Sequence, residues 1–259
     1  MTVDEVKITR SILDAYFEEL SSSLELDVAI AGAGPSGMVA AYYLAKKGYH
    51  TAIFERKLSI GGGMWGGGMM FNQITVQDEG KRILDEFNVG TRPVGDGMHV
   101  ANSIESTTAI CLEALRAGAK IFNLISIEDV VIRGEAVAGL VINWSAVELA
   151  GLHVDPMVVM SRKTVDATGH DSEVCRVVET KVGGELLTPS GRVAGEKSMW
   201  AEEGERSLVE NSREVYPNLY VAGMAANAVF GSPRMGPIFG GMLMSGRACA
   251  ERIDEDLGK

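Results

Sequence analysis

Apolar residues recur along this chain with two periods, and each period predicts an element. Between residues 4 and 22, Val6, Ile8, Ile12, Leu13, Tyr16, Phe17 and Leu20 fall at helical spacing. They predict an amphipathic N-terminal helix that Ser21-Ser22-Ser23 ends. Residues 26–31 form a short apolar run typical of a buried strand, and Gly32-Ala33-Gly34-Pro35-Ser36-Gly37 follows at once. A helix is predicted over 35–47, opened by Pro35 and stopped at Gly48. Residues 51–54 are the next strand, ending in Glu55-Arg56. The run Gly61-Gly62-Gly63-Met64-Trp65-Gly66-Gly67-Gly68 is too rich in glycine for regular structure and reads as a loop.

Helical patterns return at 77–88 and 103–117, each followed by a glycine (Gly90, Gly118). Residues 119–144 predict a strand and then a hairpin turning at Gly134-Glu135. Residues 158–166 are a further strand, 173–182 a helix, 219–222 a short strand and 237–257 a final helix. The polar, mixed stretch 185–215 carries no periodic signal. Strands alternating with helices, and no linker dividing them, predict one α/β domain over 1–259 with a helix at each end. The expected architecture is a glutathione-reductase-like, Rossmann-type FAD/NAD-binding fold. It has a central parallel sheet and a small antiparallel β insert.

Composition narrows the function. With 24 Lys+Arg against 35 Asp+Glu the net charge is −11, which disfavours nucleic acid and anionic membrane as partners. No apolar run approaches the length of a membrane span, and the polar N-terminus lacks the apolar core of a secretory signal. Cys111, Cys175 and Cys249 are far apart with no CxxC pair, which argues against a disulfide framework or thiolate zinc site and fits the cytoplasm.

The glycine run at 32–37 fits the G-x-G-x-x-G dinucleotide pattern in its proper context, between a buried strand and a helix start. Gly32, Gly34 and Gly37 would let the backbone approach a pyrophosphate at the helix N-terminus. Glu55, eighteen residues past Gly37, would accept hydrogen bonds from the adenosine ribose and disfavour a 2′-phosphate, so NAD or FAD is expected rather than NADP. Met64 and Trp65 are unusual in a flexible loop, and their place just after Glu55 suits a segment passing over the cofactor. Two of the four histidines, His153 and His170, lie beside aspartates on either side of one strand, in HVD and GHD. Imidazole with carboxylate suits Fe(II), Mn(II) or Zn(II). From spacing alone, capped turns are the simpler account.

The motifs taken together carry a resemblance. GAGPSG, Glu55-Arg56, GGGMWGGG, Gly151-Leu152-His153-Val154-Asp155-Pro156, Thr168-Gly169-His170-Asp171 and Ser232-Pro233-Arg234-Met235-Gly236-Pro237 occur in this order. The set resembles the thiamine thiazole synthase family in its archaeal form, over residues 10–254. The resemblance implies an enzyme that consumes NAD, with glycine and sulfide, to build an adenylated carboxythiazole phosphate with loss of nicotinamide. It implies Fe(II) ligated by Asp155 and His170 from adjacent subunits of a homo-octamer, and Arg234 on the glycine carboxylate. Further NAD contacts are implied at Ser36, Glu55, Arg56, Gly63, Ile127, His153, Val154, Asp155 and Met224. Eukaryotic relatives carry a sacrificial cysteine where this chain has His153, so sulfur is expected from free sulfide, with His153 orienting an intermediate or moving protons. Cys175 is the rival sulfur donor. Two other functions stay open: a FAD-dependent oxidoreductase of the same fold, and a non-catalytic NAD-binding module.

Overall fold

The computed structural model describes residues 3–258; Met1, Thr2 and Lys259, the ends of the expected 1–259 domain, lie outside them. Helix α1 (Glu5–Ser22) is capped by the Asp4 side chain, which accepts from Lys7 N–H. Strand β1 (Glu25–Ala31), helix α2 (Pro35–Lys46) and strand β2 (Thr51–Glu55) form the first βαβ unit. Then follow β3 (Gln73–Gln77), α3 (Asp78–Glu86), β4 (Thr91–Gly95), β5 (Met98–Asn102), α4 (Ser103–Arg116) and β6 (Lys120–Asn123). The hairpin β7 (Ile125–Arg133) and β8 (Ala136–Trp144) leads through α5 (Ser145–Leu149) to the long β9 (Met157–Asp166). The rest is α6 (Glu173–Val177), α7 (Ala201–Asn211), β10 (Glu214–Tyr216), β11 (Leu219–Val221), α8 (Met224–Phe230) and α9 (Gly240–Leu257).

The main sheet has the order β10-β11-β9-β1-β2-β6. β1 runs parallel to both β2 and β9, with Ile30 opposite Ile53 on one side and Val165 on the other. β9 is long enough to take two partners on its outer edge. Its first half pairs antiparallel with β8, and its second half pairs parallel with β11. Alternation along β1 divides two cores. Val28 and Ile30 face α2, α4 and α9, while Ala29 and Ala31 face the side that holds Val174, Cys175 and Val229. A sheet covered on both faces needs near-continuous apolar strands, which is how residues 26–31 read.

The α/β Rossmann-type fold is as expected, with corrections in detail. The β7–β8 hairpin is joined to the main sheet through β9. The small antiparallel insert is β3-β5-β4, inside a region read as helix and loop. Its strands are short; β3 alternates, with only Ile74 and Val76 buried, but β4 is mostly exposed and contains Pro93, so no alternation marks β4. The glycine-rich loop contains one 3₁₀ turn, Gly62–Gly66, with Met64 fully buried. The stretch 185–215 holds α7, and the last helix begins at Gly240 rather than 237. α1 lays Tyr16 against Phe122 and Trp144 and buries Leu20, but Val6, Ile8, Ile12, Leu13 and Phe17 stay exposed. No helix among the described residues is long and apolar enough to cross a membrane.

Candidate functional site

The carboxyl ends of β1, β2 and β9 open into a cleft of about 530 Å³. Open parallel sheets place their ligands at this position. Its floor is the glycine turn. Gly32 sits at φ +98°, and a Cβ there would lie 2.5 Å from the Ala167 carbonyl oxygen. At Gly37 a Cβ would lie 2.2 Å from the Gly32 carbonyl oxygen, so only glycine lets α2 start this close to β1. Gly34 has no neighbour within 4 Å of its Cβ position, which leaves open space where a pyrophosphate would lie. The first-turn amides of α2 point out of the helix end without intrahelical partners, and suit an anion.

Glu55 ends β2, is 8% exposed, and lines the cleft. Its two oxygens accept from Ala33 N–H (2.9 Å) and Lys57 N–H (2.9 Å). The carboxylate therefore ties β2 to the glycine turn and keeps lone pairs for a ribose hydroxyl. The glycine-rich segment folds over the turn: Gly61 N–H donates to the Ala33 carbonyl at 2.7 Å, and Gly62, Gly63 and Met64 line the cleft. Ser36 also lines it, but its hydroxyl donates to the Met242 carbonyl at 2.8 Å, so its backbone amide is the group left for phosphate. Ile127 on β7 and Met224 at the start of α8 supply apolar wall.

Arg56 spans the cleft mouth to the far side, in ion pairs with Glu173 and, at 3.4 Å, Asp171. Burial pushes the Glu173 carboxyl up, while the Arg56 charge opposes that shift. A phosphate reaching Arg56 would compete with these carboxylates.

His170 and Arg234 also line the cleft. His170 sits on the 3₁₀ turn Gly169–Asp171 after β9. Buried Asp166 holds that turn: Oδ1 accepts from Thr168 N–H and Oγ–H, and Oδ2 from Cys175 N–H. Glu196 joins the two cleft residues. Its Oε1 lies 2.6 Å from His170 Nδ1 and its Oε2 3.7 Å from Arg234 Nε. Glu196 lies in the irregular stretch that carries no sequence signal, and only its tertiary neighbours mark it.

Other expected site residues lie elsewhere. His153, Val154 and Asp155 are on the exposed connection before β9, outside the cleft of their own chain. Gly37 packs the helix and does not line the cleft. Cys175 is fully buried on α6, and burial pushes its thiol well up, which makes it a poor nucleophile. No group of three or more His, Cys, Asp or Glu that could hold a metal occurs among the described residues. The donor set therefore fits a metal ion only in part: His170 offers an imidazole with Nε2 unengaged by Glu196, and further protein ligands must come from outside this cleft.

Comparison with known proteins places these features in one group. The Thi4 family model matches residues 9–239. A thiamine thiazole synthase of Methanothermobacter thermautotrophicus is 63% identical over 99% of this chain and 100% of its own length. That of Pyrococcus abyssi is 54% identical over 98% of each. The crystal structure of Thermovibrio ammonificans THI4 superposes with a TM-score of 0.98 at 54% identity, covering 100% of both chains.

Proposed function

The chain belongs to the Thi4 family and is an enzyme of thiamine thiazole biosynthesis, and from that premise we propose that it converts NAD, glycine and sulfide to an adenylated carboxythiazole phosphate with release of nicotinamide, in a reaction that as a whole depends on Fe(II). The observation that carries this reading is the single cleft with two chemistries: a dinucleotide turn with Glu55 at one end, and His170 with Arg234 at the other. A dinucleotide held by its pyrophosphate at α2 and its adenosine ribose at Glu55 would extend its second ribose toward His170.

In this reading each side chain has a task. Glu55 accepts from the adenosine ribose hydroxyls, and the α2 amides face the pyrophosphate. Arg234 pairs with the glycine carboxylate through a charge-assisted contact. His170, with Asp155 of a second copy, holds Fe(II), which when bound supplies open coordination positions for sulfur. The exposed placement of Asp155 outside its own cleft supports ligation across an interface. The uncovered apolar face of α1 (Val6, Ile8, Ile12, Leu13, Phe17) supports a homo-oligomer, the octamer being the expected form. His153 has no sulfur to give, so sulfide is the donor and turnover is repeated.

The test is anaerobic incubation of the purified oligomer with NAD, glycine, sulfide and Fe(II), followed by mass spectrometry of small molecules. Nicotinamide and the adenylated thiazole form together, and omitting sulfide abolishes the thiazole. Nicotinamide-free NAD binding with no product contradicts the reading, as does a bound flavin that turns over with NADH.

A further inference from the structure

We propose that Glu196 is a positioning residue that sets His170 and Arg234 for their two ligands at once. The inference rests on the reading above, in which His170 ligates the metal and Arg234 holds glycine.

Glu196 is itself held from both sides. Before it, Ala194 and Gly195 N–H donate to the Val229 and Ala228 carbonyls at the end of α8, at 3.2 and 2.9 Å. After it, Lys197 N–H donates to the Ser232 carbonyl (3.1 Å), and Arg234 N–H donates back to the Lys197 carbonyl (3.3 Å). This pairing lays Glu196 beside Arg234 although 38 residues separate them. The Glu196 side chain is 14% exposed, whereas those of His170 and Arg234 are 52% and 60% exposed. A sheltered carboxylate thus anchors two side chains that otherwise reach into solvent.

The chemistry of each contact decides which atoms remain for ligands. A carboxylate paired to an imidazole nitrogen accepts, so Nδ1–H of His170 is the donor and Nε2 is the nitrogen left to ligate. On Arg234 the carboxylate faces the Nε edge, which leaves the terminal pair of nitrogens for a second carboxylate. One side chain therefore fixes the tautomer of the ligand through a hydrogen bond and draws the guanidinium to the same place through an ion pair.

The experiment uses the full-length oligomer under anaerobic conditions. It measures Fe(II) binding by calorimetry with the metal alone, NAD binding separately, and steady-state kinetics in glycine. Glu196→Ala is expected to weaken Fe(II) binding about 10- to 100-fold and to raise the glycine KM more than it lowers kcat. NAD affinity stays unchanged, because Glu196 does not touch the dinucleotide end, and this also reports that the variant folds. Glu196→Gln keeps an acceptor for Nδ1 without the charge, so it regains most of the Fe(II) affinity while the glycine KM stays raised. Wild-type Fe(II) affinity and glycine KM in a Glu196→Ala oligomer that binds NAD overturn the proposal, provided His170→Ala loses Fe(II). If His170→Ala binds Fe(II) as tightly as wild type, the metal reading itself fails and takes the Glu196 role with it. Should Glu196→Ala fail to bind NAD, Glu196→Gln decides alone, and an unchanged glycine KM there overturns the proposal.

Discussion

At the glycine-turn end of the cleft the polar groups are answered from within the chain. Glu55 is 8% exposed with both oxygens on backbone amides, Ser36 Oγ is spent on Met242, and Gly61 is tied to Ala33. At the histidine end, His170 and Arg234 reach into solvent and share one carboxylate, and Asp155 lies outside the cleft altogether. The first end is a finished structure within one chain. The second is an open half-site, to which the proposed function adds Asp155 of a second copy. That difference matches the tasks the proposed function assigns: holding a dinucleotide would need rigid backbone and close packing, whereas bond-making around a metal would need open coordination positions.

The largest expected effect is at the finished end. Gly37→Ala forces a Cβ to within 2.2 Å of a backbone carbonyl oxygen that cannot move without separating β1 from α2. Overpacking of this kind lowers stability by about 1–3 kcal/mol or more, with Tm falling roughly 2–4 °C per kcal/mol in a chain of this size, and NAD binding is lost. Gly34→Ala meets no neighbouring atom at its Cβ, so Tm holds while NAD affinity drops. Thermal scans with and without NAD separate the two, and equal Tm losses would contradict a turn that is packed at Gly37 and open at Gly34.

A smaller loss is expected at Glu55. Glu55→Ala strands the buried Ala33 amide, releases that of exposed Lys57 and removes the proposed ribose acceptor. Since hydrogen bonds to a charged group contribute about 1.5–3 kcal/mol, both Tm and NAD affinity fall, and calorimetric titration checks the latter. Unchanged NAD affinity would remove Glu55 from ligand binding and leave it only the turn to hold.

The smallest effect is expected at Cys175. Its thiol is fully buried and pushed up by that burial, with the Asp166 carboxylate adding to the shift. Cys175→Ala leaves sulfide-dependent product formation intact, and the intact mass of the wild-type protein is unchanged after turnover. A mass loss equal to one hydrogen sulfide, absent in Cys175→Ala, would make this cysteine the sulfur donor and join it to the open half-site.

The same contrast governs what the sequence makes legible. The finished end is local: strand, glycine turn, helix start and Glu55 lie within about thirty residues, and each local preference agrees with the fold. His170 and Arg234 are legible only through family resemblance, because a histidine beside an aspartate is equally a capped turn. Glu196 is illegible, since its partners lie 26 and 38 residues away and its own segment has no periodic pattern. The β3-β5-β4 sheet escapes for a related reason. Its register, Thr75 opposite Val100 and Val100 opposite Arg92, is set by pairing between short strands, of which only β3 buries residues at alternate positions, Ile74 and Val76.

Whether the open half-site is completed by a second copy is settled most directly by complementation. Asp155→Ala and His170→Ala, each expected to abolish thiazole formation while keeping NAD affinity, are co-expressed with different tags, and the mixed oligomers are purified through both. If the two ligands come from different subunits, some clefts in the mixture combine an intact His170 with an intact Asp155 from the neighbouring copy, and thiazole formation partly returns. If both ligands serve the same chain, every cleft lacks one of them, and verified mixed oligomers with no activity would contradict a site shared between subunits.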